Sequence, residues 1–144
     1  MKLLRLLSFA LTGLLLAGCA TTTPVDSQAR ALCVQTFGTD TYLKVLWLPV
    51  GEVDKFFTVV LADHSDQINI ASAMESAKDK RVDLVVWTEP HGEATFAIEH
   101  ALGYIRRTER LDKLNFLFVG DAPDADRLRP EIEQTGAKFY FHQR

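Results

Sequence analysis

From residue 42 onward the chain alternates two apolar periods, and that alternation limits the folds open to it more than any other feature. Residues 42–48 (YLKVLWL) and 56–62 (FFTVVLA) are rich in β-branched, aromatic and aliphatic side chains and read as strands. Residues 66–80 place Ile70, Ala73, Met74 and Ala77 on one helical face, with Glu75, Lys78 and Asp79 opposite. Residues 82–87 (VDLVVW) carry one polar side chain, Asp83, as expected of a strand covered on both faces. Residues 92–110 predict the longest helix, with a stripe of Ala94, Ala97, Ile98, Ala101, Leu102 and Ile105 and with Arg106, Arg107 and Arg110 suited to its negative end. A strand at 115–119, a helix at 124–135 stopped by Gly136, and a strand at 137–141 complete the series. Pro130 is tolerable in that last helix if the helix begins late, near Asp126.

Strand and helix in alternation from residue 56 imply right-handed crossovers and a parallel sheet with helices on its faces. The expected fold is α/β, a three-layer sandwich with a mostly parallel sheet of flavodoxin-like or Rossmann-like kind. The strand at 42–48 then pairs antiparallel with 56–62 or stands at an edge. A two-layer α+β sheet is the alternative. Trp47, Trp87 and most of the nine phenylalanines fall in strands and are expected in the core.

The first nineteen residues, MKLLRLLSFALTGLLLAGC, are of another kind. Lys2 and Arg5 precede an apolar run over residues 6–16, which is too short to span a bilayer and fits a cleaved secretion signal. Leu16-Ala17-Gly18-Cys19 resembles the lipobox of bacterial lipoproteins. The resemblance implies cleavage after residue 18 and fatty acylation of Cys19. It implies attachment to the cell envelope, and Ala20 in place of aspartate implies the inner leaflet of the outer membrane, facing the periplasm. Several acyl chains hold a protein stably where a single chain is marginal. The expected organisation is a signal peptide (1–18), a lipidated cysteine with a flexible tether (19–30), and one α/β domain (31–144).

Composition narrows the partners. Removing Lys2 and Arg5 from 16 basic residues leaves about 14 against 19 acidic, so the mature chain is mildly acidic, which argues against a nucleic-acid partner. With Cys19 acylated, Cys33 is the one remaining thiol, expected to be buried beside Ala31, Leu32 and Val34. Residues 29–37 are compatible with a short helix or an edge strand before the turn at 38–40.

Ligands of parallel sheets bind beyond the carboxyl ends of the strands, which directs attention to three polar loops. These hold Asp63 and His64, then Glu89, His91 and Glu93, then Asp121, a set able to form one rim that holds a divalent cation or supplies an acid and a base. Helix starts demand the same residue types, so capping by Asp63, Ser65, Asp66, Asp121 and Asp124 is the preferred account. His100 reads as a core or boundary histidine. No H-E-x-x-H, G-x-S-x-G, Walker or G-x-G-x-x-G motif is present, and His91-Gly92-Glu93 lacks the cysteine half of the zinc-deaminase signature. The sequence therefore favours a non-enzymatic protein-binding or assembly module, without a cofactor, tethered by its lipid to the membrane and presented to an envelope protein. Its contact surfaces would be an edge strand and aromatics such as Tyr42 and Tyr140. The alternative is a metal- or small-ligand-binding domain, even a weak hydrolase, using Asp63, His91, Glu93 and Asp121.

Overall fold

The computed structural model describes residues 24–48, 68–88, 93–105 and 110–144. Within them lie helix α1 (Pro24–Phe37), strand β1 (Leu43–Leu48), helix α2 (residues 68–75, tightening into a 3-10 turn at Ser76–Lys78), β2 (Val82–Thr88), α3 (Glu93–Tyr104), β3 (Leu114–Gly120), α4 (Ala122–Gln134) and β4 (Lys138–Gln143). The four strands form one all-parallel sheet in the order β1-β2-β3-β4. The fold is an α/β sandwich, as the alternation of periods implies.

Side-chain alternation along the strands separates two cores. On one face Leu84, Val86, Phe116, Phe118 and Phe139 meet Ile70 and Met74 of α2, Ile98 and Ala101 of α3, and Leu128 and Ile132 of α4. The phenylalanines stack across β3 and β4, with centroids 5.9 Å apart for Phe116 and Phe139 and 6.3 Å for Phe118 and Phe141. On the other face Val85, Leu117 and Val119 are covered by Ala29 and Cys33 of α1. Among the described residues three helices lie on one side and one on the other, as expected when each right-handed crossover advances the chain by one strand in the same direction.

Several details differ from the sequence reading. The strand at 42–48 stands at one margin of the described sheet, and it pairs parallel with β2 in the register Leu43 to Asp83. The strand expected at 56–62 lies outside the described residues. Residues 24–30, expected in the tether, are helical: Pro24 suits a first helical turn, Asp26 favours its positive end, and Ala29 and Cys33, one turn apart, anchor it to the sheet. The third helix ends at Tyr104, so Arg110 lies beyond it and pairs with Asp112 at 2.9 Å instead of facing a helix terminus. Helix α4 starts at Ala122 and continues through Pro130, whose ring lies on the exposed side where water can take the carbonyl it leaves without a donor. Gly136 stops α4 as expected, with φ +91° and its N–H donated to the Glu133 carbonyl at 2.9 Å. Trp47 is 45% exposed rather than buried, because α1 is the sole described helix on its face and cannot cover four strands.

Candidate functional site

The carboxyl ends of the strands were the expected location, and of the six rim residues the structure describes the side chain of Asp121 alone. Asp63, His64, Glu89 and His91 lie outside the described residues, and Glu93 is described only as the first residue of α3. Asp121 holds the N-cap position of α4, but its carboxylate makes no capping hydrogen bond. It faces the Arg144 guanidinium, 3.7 Å away. Arg144 also donates to the Thr88 carbonyl at 2.7 Å and through its backbone to the Gly120 carbonyl at 3.3 Å. A cation thus sits over the ends of β2 and β3. Burial and the neighbouring Asp121 carboxylate hold the Asp124 carboxyl above its ordinary range.

Whether a crevice opens at this end depends on strand order, and the strand expected at 56–62 lies outside the described residues. In doubly wound sheets the crevice opens where successive crossovers depart to opposite faces, and the described order β1-β2-β3-β4 contains no such reversal. Among the described residues no group of three histidine, cysteine or acidic side chains stands close enough to hold a metal ion, and no helix is long and apolar enough to cross a membrane.

The opposite, amino end of the sheet carries a feature built from described side chains. Parallel register aligns Leu43, Asp83, Asn115 and Lys138 in one row across the strands on the α1 face. Asp83 is fully buried there, with 0% exposure. Its carboxylate accepts two bonds from Arg81, at 3.1 and 3.0 Å, and a third from the Asn115 amide at 2.6 Å. Bidentate pairing of this kind raises the affinity of Arg81 for its proton. The guanidinium also lies over the Tyr42 ring, 5.1 Å from its centroid. Tyr42, expected as a bare contact aromatic, is half committed to this stack.

Beside the row opens a cleft of about 450 Å³ between the end of α1 and β4. Phe37 and Tyr140 form its aromatic wall, edge to face at 5.0 Å, and Arg81, Lys113, Asn115 and Lys138 line the rest. Asp112, also on the rim, is bound by Arg110, which holds its carboxyl below the ordinary range. Cys33 lies behind the wall, fully buried as expected, its thiol donating to the Thr39 carbonyl at 3.3 Å. Burial first, then the Asp83 and Asp40 carboxylates, push that thiol up to about 11. His100 is on the exposed side of α3 against Phe96, centroids 4.0 Å apart, and not in the core.

Sequence reasoning missed the cleft because its residues come from three separate strand starts and a helix end. Asp83, the one polar side chain inside an apolar strand, was the available signal. Comparison with known proteins finds no matching family model, no matching curated sequence and no matching solved structure.

Proposed function

We propose that this protein is a lipid-anchored, non-enzymatic binding module of the bacterial envelope, fastened through Cys19 and presenting its amino-end cleft to a protein partner. The carrying observation is the placement of α1. Its first residue, Pro24, follows Cys19 by four intervening residues, a reach of at most about 18 Å over five residue steps, and its last, Phe37, lines the cleft. A helix of 14 residues is about 21 Å long, and the short connection 38–42 turns the chain so that α1 runs against the strands. Attachment at Cys19 therefore brings the carboxyl-end loops toward the bilayer and turns the cleft away from it. A small domain held on so short a leash meets its partners at the surface pointing outward.

The test is expression of the full chain with its own N-terminus, beside Cys19→Ser. The parent is expected to gain the mass of acyl chains, to fractionate with membranes, and to be recovered by cross-linking with a defined envelope protein. Cys19→Ser processed and localised like its parent overturns the anchor; repeated recovery of the protein by itself counts against the binding role.

A further inference from the structure

Resting on that reading, we infer that the amino-end cleft receives an acidic segment of the partner polypeptide, its carboxylates on Lys138 and Lys113 and an apolar side chain against the Phe37–Tyr140 wall. The charges around the cleft cancel in pairs except at two places. Arg81 is neutralised by Asp83 and Arg110 by Asp112. Lys113 spends one donor on the Asp79 carbonyl at 2.8 Å and retains two. Lys138, exposed at the start of β4, has no hydrogen-bond or ion-pair partner among the described residues. The cleft is thus a cationic spot on a chain whose formal charge is −3, so an acidic segment is drawn to it and repelled by most of the remaining surface.

The shape of the cleft agrees with a polypeptide. A volume of about 450 Å³ holds a few residues rather than a single small ion, and the aromatic edge offers apolar contact that a bare phosphate cannot use. Asn115 also lines the cleft, and with its amide donating to Asp83 its side-chain carbonyl is left as an acceptor for a peptide N–H. Anionic lipid of the anchoring membrane is the poorer fit, because the cleft and the tether lie at opposite ends of α1.

The test uses the acylated full-length product in nonionic detergent and a fluorescein-labelled peptide of alternating glutamate and phenylalanine, read by anisotropy at low salt. Saturable binding is expected. Lys138→Glu, a change at an exposed position, should weaken it about tenfold without altering the melting temperature. Arg129→Gln, on the face of the sheet opposite the cleft, where its guanidinium lies over the Phe139 ring, should leave it unchanged. Affinity unaffected by Lys138→Glu, equal loss with Arg129→Gln, displacement of the peptide by equimolar inorganic phosphate, or preference for phosphatidylglycerol vesicles over the peptide would each overturn the inference. Partner cross-links that persist in Lys138→Glu remove the cleft assignment and leave the tethered binding role standing; absence of any partner with intact peptide binding does the reverse.

Discussion

Arg81→Ala is expected to cost about 3 kcal/mol of folding stability. Asp83 has 0% exposure, and of its three hydrogen bonds two come from Arg81, so truncation leaves a buried carboxylate with Asn115 as its remaining side-chain donor. Breaking a buried ion pair from one side costs about 3 to 5 kcal/mol, since the partner's charge is left without compensation. The Arg81 side chain is 41% exposed, so water softens the loss and the lower end applies. For a domain of this size each kcal/mol moves the melting temperature by about 4 °C, which gives a fall of about 12 °C by calorimetry. Replacing the whole network by apolar side chains, with Arg81→Met, Asp83→Leu and Asn115→Leu together, removes the buried charge as well as its partners. That triple variant is expected to lie within about 1 kcal/mol of the parent. An Arg81→Ala variant melting within about 3 °C of the parent would refute this account, as would a triple variant less stable than the single one.

Other outcomes follow from the same packing. Cys33, with its thiol pushed up to about 11, should resist thiol reagents in the native protein at pH 8 and react at once after denaturation; equal rates in both states would contradict its burial. Stability should fall as the pH rises from 9.0 to about 11, because the unfolded chain sheds the thiol proton first, and Cys33→Ala should flatten that part of a urea-midpoint profile by about 2 kcal/mol. Leu128→Ala, at a fully buried position of α4, should cost about 3 kcal/mol in chemical denaturation. Gly120→Ala should also destabilise, since a Cβ there would stand 2.5 Å from the Thr88 hydroxyl and 2.8 Å from the Phe118 ring; an unchanged melting temperature would show that the end of β3 is looser than described.

How much was legible in the sequence differs between fold and site, and particular residues show why. Ile70, Ala73, Met74 and Ala77 recur at helical spacing, and all four are buried as their period demands. VDLVVW announces a strand covered on both faces and NFLFV a strand, and β2 and β3 are the two central strands of the described sheet. Such patterns are local: burying an apolar face at period 2 or 3.6 is a requirement each segment states by itself. Boundaries were less secure, because the start of α4 and the reach of α1 depend on what each helix packs against. Pro130 was read as a late start, yet the sheet contacts of Ala125, Leu128 and Ile132 keep the helix continuous around an exposed proline.

The cleft at the amino end of the sheet has an origin that no local pattern contains. Loop composition marked Asp63, His64, Glu89, His91, Glu93 and Asp121 as a rim at the carboxyl ends, but whether such a rim encloses a crevice depends on strand order. Of that rim the Asp121 side chain is described, with the Arg144 guanidinium against it, and the other five side chains lie outside the described residues. By itself the sequence determined the strands β1 to β4 and the helices α2 to α4, their alternation, a mostly parallel sheet and the faces that must be buried, since these follow from periodicity along the chain; the helix at 24–37 and the parallel pairing of β1 it left open. Tertiary structure alone decided the rest. Parallel register set Asp83 beside Asn115 and Asn115 beside Lys138, and one helix laid over four strands left a cleft beside Phe37 and Tyr140, because contacts between residues tens of positions apart exist only once the sheet has assembled.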